Sequence, residues 1–282
     1  MSTHNLNRGG SFTLPGTSIA LNRLGYGAIR LAGEGVWGPP RDPDAAIALL
    51  REAVALGVNH IDTADFYGPH ITNQIIRKAL HPYPKDLVIV TKVGIRRGAD
   101  KSWLPALSPE ELTAAIHDNL RNLGLDTLDV VLLRVGGSLG PSESSIGQPL
   151  ETLVRLKEQG LIRHIGLSNV TKQQVVEAQA ITDIVCVQHQ YNLVRREFDS
   201  LIDELATQGI AFTPFFPLGG GFTPMQSSAL EAAAVSLQAT PMQIALAWLL
   251  QRSPNILLIP GTTSAEHLRE NLKAGHLQLP QF

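Results

Sequence analysis

Cysteine is nearly absent. Cys186 is the single one among 282 residues, which excludes an internal disulfide framework. It stands in an apolar run beside Ile184, Val185 and Val187 and reads as a small buried hydrophobe rather than a nucleophile. Charge is scarce as well, at 17% of residues, with 23 Lys and Arg against 25 Asp and Glu and a formal net charge of −2. No basic run breaks the chain, so a nucleic-acid partner is not expected. No apolar stretch approaches the roughly 20 residues of a membrane span. Residues 1–5 are polar and carry no apolar signal segment. The expectation is a cytoplasmic protein with no membrane contact, no metal and no obligate protein partner. A G-x-G-x-x-G phosphate motif is missing too, and the run Gly219-Gly220-Gly221 alone points to no ligand.

What remains is a hydrophobic content of 44%, enough for a large core. Short apolar runs alternate with longer amphipathic segments. Strands are expected at residues 24–28, 58–62, 86–92, 128–133, 162–167, 184–188, 210–213 and 256–259. Helices are expected at 43–56, 72–80, 109–123, 150–158, 173–178, 197–207, 241–251 and 265–273, with a further helix-like stretch at 226–237. Ser108 with Glu111 forms a capping-box pattern, and Thr240 caps the helix at 241. Eight strand–helix units without a linker suit a closed (β/α)8 barrel, one domain over residues 1–282, better than an open doubly wound sheet. Before residue 24, a Pro15-Gly16 turn between β-prone pieces suggests an N-terminal β-hairpin that plugs the barrel floor.

In such barrels the chemistry sits where strands end. Asp62, Asp65 and Tyr67 follow the second strand, Lys92 the third and Arg134 the fourth. A tyrosine has an ordinary pKa of about 10, and a neighbouring ammonium group favours its phenolate. A carboxylate beside the ammonium holds it charged. So tuned, Tyr67 can exchange a proton with a carbonyl oxygen while hydride reaches the carbon. Each residue alone has a plainer reading: Asp62 as a helix cap, Lys92 as a surface charge, Tyr67 as loop packing. Their joint place on neighbouring strand ends favours chemistry.

The segment from Gly57 to Gly68, GVNHIDTADFYG, resembles the aldo-keto reductase signature G-x-x-x-[IFL]-D-T-A-x-x-Y-G. Ile89 to Val93 resembles the strand with the family's catalytic lysine, and Asp129 to Arg134 the segment that normally ends in histidine. Ile165 to Asn169, Val187 to Asn192, Phe215 to Gly219 and Ile259 to Thr263 resemble further family segments in the family's order. The resemblance implies a catalytic set of Asp62, Tyr67, Lys92 and Arg134. It implies an NADPH site, with NADH possible, built from Gly27, Ala28, Asp62, Ser168, Asn169, Gln188, Phe215, Pro217, Leu218, Gly219, Gly261, Thr262, Thr263, His267, Glu270 and Asn271. Ser168, Asn169 and Gln188 would take the carboxamide, and Phe215 would stack under the nicotinamide ring in place of a tyrosine.

Three departures stand out. Arg134 occupies the usual histidine position; an arginine cannot trade protons but can polarise a carbonyl oxygen, or else forms a structural ion pair. His117 and His189 are other candidates for the missing imidazole. Gly261 and His267 stand where the family often has Lys and Arg around the adenosine 2′-phosphate. The chain ends at Phe282, where relatives commonly add a helix and tail. Segments such as residues 24–28, 38–42, 65–70, 132–135, 226–228 and 246–255 are similar to a bacterial subgroup that reduces pyridoxal to pyridoxine, and arginine at 134 looks normal there. A flat aromatic aldehyde would suit a pocket edged by Trp37, Phe66 and Trp103, though these also suit loop packing. A broad-range aldehyde or ketone reductase, and a slow-turnover NADP(H)-binding regulatory subunit, are the alternatives.

Overall fold

The computed structural model describes residues 9–137, 140–221 and 228–280. The chain forms β1 (Ser11–Thr13), β2 (Ala20–Asn22), β3 (Tyr26–Gly27), α1 (Pro43–Ala55), β4 (His60–Asp62), α2 (Ile71–Leu80), β5 (Val88–Val93), β6 (Ile95–Arg97), β7 (Trp103–Pro105) and α3 (Pro109–Leu123). It continues with β8 (Leu128–Arg134), α4 (Gly147–Glu158), β9 (Ile162–Ser168), α5 (Lys172–Gln179), β10 (Ile184–Gln190), α6 (Asp199–Thr207), β11 (Ala211–Phe215), α7 (Ser228–Ser236), α8 (Pro241–Arg252) and α9 (Ala265–Lys273). Of the helix-like stretch at 226–237, residues 226 and 227 lie outside the described residues, as do residues 1–5 and Phe282.

Seven parallel strands run in the order β11-β10-β9-β8-β5-β4-β3. Residues 256–258 supply the eighth staves of the barrel. Leu257 N–H donates to Phe212 O (2.8 Å) on one side, and Leu258 N–H donates to Arg23 O (2.8 Å) on the other. Parallel bridges Phe212–Ile256 and Leu24–Leu258 mark the two seams. The (β/α)8 barrel is therefore closed. Its eighth strand is shorter than the expected 256–259 because Pro260 has no N–H to extend a ladder.

Strand alternation sorts the core into two layers. Val88, Val90, Val130, Val185 and Cys186 fill the barrel, where Leu14 and Leu21 of the β1–β2 hairpin pack against them as a plug. Ile61, Ile89, Val93, Val131 and Leu133 face the helices instead. Cys186 is buried, and burial raises its thiol to about 12, which leaves it inert. The capping box and the cap read from the sequence exist: Ser108 accepts from Glu111 N–H at α3, and Thr240 accepts from Gln243 N–H at α8, where Gln243 completes a second box. Among the described residues no single helix is long and apolar enough to cross a membrane.

The β6–β7 hairpin was not expected. Its three-residue strands include Arg96 and Arg97, so no apolar alternation marks them. It turns off the end of β5 at Gly94, whose φ of +105° suits glycine and whose added Cβ would lie 2.3 Å from Arg134 O.

Candidate active site

β4 and β5 run side by side, pairing Asp62 with Val90, and β8 follows β5 with Lys92 opposite Leu132. Inward alternation points Asp62 and Lys92 into the barrel mouth. Lys92 Nζ donates to Asp62 Oδ1 (2.6 Å) and to Thr63 O (2.9 Å). Gln188 Nε2 donates to Asp62 Oδ2 (2.8 Å), so both carboxylate oxygens are held. Lys92 Nζ sits 5.2 Å from the centre of the Tyr67 ring. All four side chains are buried. The structure thus brings the phenol, the amine and the carboxylate together.

Two forces act on the Tyr67 phenol. Burial pushes its pKa up and is the larger; Lys92 and Arg134 pull it down, against Asp62. The net direction is up. The sequence alone suggested a lowered value, because it shows the ammonium but not the desolvation. Burial pulls the Lys92 ammonium down, but Asp62 and Tyr67 outweigh it and hold it above its ordinary range. It is a fixed cation.

Arg134 ends β8 and is half-buried. Nη1 donates to Ser168 Oγ (3.3 Å), and the guanidinium lies 5.5 Å from the Phe215 ring centre. No carboxylate pairs with it among the ion pairs of the described residues. The structural ion-pair reading fails, and a second cation faces the site. Neither histidine replaces it. His117 is exposed on α3, and His189 is buried behind β10 with its ring stacked on Phe198 at 3.8 Å.

The strand ends next to Arg134 carry the residues expected to hold a nicotinamide. Ser168 pairs in register with Gln188 and Arg134, and Phe215 with Gln190, so Ser168, Gln188 and Phe215 share one wall. Asn169 takes a left-handed φ of 59°, and its amide donates to Val135 O, Gly137 O and Gly140 O. Its donors brace the loop after β8, which leaves only its oxygen for a ligand. Gly27 and Gly261 allow the ends of β3 and the eighth strand to touch: a Cβ on Gly27 would lie 2.4 Å from Ile259 O, and one on Gly261 would lie 2.7 Å from Gly27 O. Ala28 is buried beside them. Tyr26 Oη donates to Thr262 O (2.6 Å) and fixes the approach to α9. Ser264 caps that helix, whose first-turn N–H groups form an anion-accepting end flanked by the exposed Thr263 and His267. Pro217, Leu218 and Gly219 line the turn after β11. Glu270 accepts from the Thr240 hydroxyl and so ties α9 to α8, and Asn271 is buried on the same face.

Phe66 is buried, with its ring edge-on to Tyr67 at 5.3 Å and to Trp103 at 5.7 Å. Trp37 and Trp103 are half-buried and share a residue that sequence reasoning missed. The Arg97 guanidinium lies 4.2 Å from the Trp103 ring centre and 5.2 Å from Trp37. Its Nη1 donates to Val36 O (2.6 Å). Only the contact of two distant loops reveals it.

Residues 23–281 match the Aldo/keto reductase family. The chain belongs to that family. Pyridoxine 4-dehydrogenase of Escherichia coli (strain K12) is 66% identical to it over 273 residues, which cover 96% of this chain and 94% of that protein. The NADH-specific methylglyoxal reductase of the same organism is 28% identical over 302 residues, covering 93% and 92%. Among solved structures, a thermostable aldo-keto reductase in complex with the inhibitor epalrestat is 30% identical, with a TM-score of 0.81 and 96% of both chains covered. This aldo-keto reductase is an oxidoreductase, and the buried Asp62–Lys92–Tyr67 group stands at the open end of its barrel.

Proposed function

We propose that this aldo-keto reductase reduces a small aldehyde with NADPH, that its substrate is pyridoxal, and that Asp62, Tyr67, Lys92 and Arg134 carry the chemistry. The observation that supports this best is the charge arrangement: two cations, Lys92 and Arg134, face one phenol against a single carboxylate. Tyr67 donates its proton to the carbonyl oxygen. The phenolate left behind is stabilised by Lys92 and Arg134 among buried side chains, where fixed charges act more strongly than in water. Asp62 holds the ammonium charged and aimed. When bound, a reduced nicotinamide supplies hydride to the carbonyl carbon, so hydride and proton together give the alcohol.

The residues present fit such a carrier. Phe215 offers a flat apolar face, Ser168 and Gln188 offer polar atoms beside it, and the end of α9 suits a phosphate. Gly261 and His267 supply no permanent positive charge for a 2′-phosphate, so preference for NADPH over NADH would rest on weaker contacts. The identity to the E. coli pyridoxine 4-dehydrogenase supports pyridoxal, as does the aromatic wall of the buried Phe66 and the half-buried Trp37 and Trp103.

Steady-state oxidation of NADPH, followed by absorbance with pyridoxal and with a panel of simple aldehydes, tests the reading. Pyridoxal is expected to give the highest kcat/KM. No turnover of pyridoxal beside brisk turnover of another aldehyde would end it. Repeating the assay with NADH tests the choice of carrier.

A further inference from the structure

The alternation that sends Asp62 and Lys92 inward sends their neighbours Thr63 and Thr91 outward, into a layer between sheet and helices otherwise filled by Ile61, Ile76, Ile89 and Leu112. Both threonines are fully buried and meet two fully buried asparagines. Thr63 Oγ1 donates to Asn73 Oδ1 on α2 (2.8 Å), and Thr91 Oγ1 donates to Asn119 Oδ1 on α3 (2.6 Å). Asn73 Nδ2 donates to Asn119 Oδ1 (2.9 Å) and to Asp65 Oδ1 (3.0 Å). Asn119 Nδ2 is anchored on Ala115 O (2.8 Å). Asn122 Nδ2 donates to Asp65 Oδ1 (2.9 Å), and His70 Nδ1 lies 2.6 Å from Asp65 Oδ2.

Apolar side chains of the same shape can pack such a layer at little cost in stability, so stability alone does not call for a buried polar network. Its reach supplies one. It grips the residue after Asp62, the residue before Lys92 and the residue two before Tyr67. Thr63 also gives its carbonyl oxygen to Lys92. The three chemical groups come from two strands and a loop, and the side-chain hydrogen bonds of Asn73 and Asn119 reach all three segments from the helix layer.

We propose that Asn73, Asn119, Thr63 and Thr91 form a positioning network that sets the distance between Asp62, Lys92 and Tyr67. None of the four touches a reacting atom, and the inference rests on the reading of Tyr67 as the acid. Misplacement of reacting groups by about 1 Å can cost on the order of a hundredfold in rate. Loss of one hydroxyl from this layer therefore acts on kcat far more than on binding.

The test replaces Thr63 and Thr91 by Val, singly and together, with Ser at each position as the conservative change and Tyr67→Phe as reference. Assays use NADPH with whichever panel aldehyde is turned over fastest, so failure of pyridoxal leaves the test intact. Each Val change should lower kcat about tenfold and the pair about a hundredfold. The aldehyde KM, and the NADPH Kd read by fluorescence, should stay within twofold. Ser should restore kcat to within threefold of the parent. Should a Val variant not fold, Ala at the same site asks for no extra room and should show the same loss. The proposal is overturned by kcat within twofold of the parent in the Val variants, by losses in kcat, KM and Kd alike, or by failure of Ser to restore. A Tyr67→Phe enzyme as active as the parent would instead remove the acid itself and, with it, anything to position.

Discussion

At the residue scale the decisive feature is an arginine where an imidazole would be usual in the family the chain resembles. A histidine can pass a proton on; Arg134 can only lend charge. If its charge stabilises the Tyr67 phenolate, Arg134→Met, which keeps bulk and loses charge, should lower kcat/KM for the aldehyde by about 10²-fold, while NADPH binding changes little. Arg134→His should behave differently with pH. Its imidazolium serves only while protonated, so activity should be retained below the ordinary histidine pKa of about 6.5 and fall as pH rises through it, whereas the parent stays level there. A flat profile in Arg134→His would mean that residue 134 only shapes the pocket. Tyr67 sets the upper limit of the parent. Burial holds its phenol above the ordinary value of 10.0, so the proton needed for reduction should persist through neutral and mildly alkaline pH. The meeting of Asp62, Tyr67 and Lys92 was legible in the sequence because they stand at or just past the ends of neighbouring strands. The direction of the Tyr67 shift was not, because desolvation belongs to the packed site and not to any neighbour in the chain.

At the scale of elements, the strands and helices followed from alternation and caps, with ends moved by a few residues; α4 begins at Gly147 rather than 150, for instance, and α6 at Asp199 rather than 197. The β6–β7 hairpin was hidden because it is held from outside. Val36 adopts a φ of +56°, a costly conformation for a β-branched residue. Its carbonyl accepts from Arg97 Nη1 at 2.6 Å and from Gly68 N–H at 3.2 Å, next to Tyr67. Arg97 thus staples the hairpin to the loop that carries Trp37. Arg97→Ala should release that loop, raise KM for a planar aromatic aldehyde about tenfold and leave KM for a short aliphatic aldehyde within twofold. Equal rises for both substrates would show that Arg97 does not act through the two indoles. A capping change offers a control for stability alone. Thr240→Ala removes the α8 cap and the tie to Glu270, and should cost about 1 kcal/mol in urea unfolding with catalysis intact.

At the scale of the whole molecule, the barrel holds two histidines in its packed layers, and folding keeps both neutral. Burial lowers His60 to about 4 and His189 to about 3, against an ordinary 6.5. Neither ring nitrogen of His60 has a hydrogen-bond partner among the described residues, and His189 lies against Phe198 and Phe212. Below 6.5 the unfolded chain takes up protons that the folded chain refuses, so stability is full above that pH and is lost as pH falls toward the folded values. Each such group costs about 1.4 kcal/mol per pH unit in that window, so two groups over the 1.5 units from 6.5 to 5 cost about 4 kcal/mol. His164, half-buried and also lowered, adds in the same sense. His70 works oppositely, because its hydrogen bond to Asp65 raises it; it gains stability as pH falls from 7 through 6.5, which offsets part of the loss, and adds nothing further once pH is well below 6.5. Urea unfolding at pH 7 and pH 5 should therefore show a drop of about 4 kcal/mol, and His189→Gln should remove about half of that pH dependence whatever it does to stability at pH 7. Equal stability at the two pH values would mean that both imidazoles are protonated in the folded barrel, which the apolar contacts around them could not sustain. The same closed packing that desolvates Tyr67 and fixes its proton also makes the fold sensitive to acid, so reductive activity at low pH should fail by unfolding before it fails by chemistry.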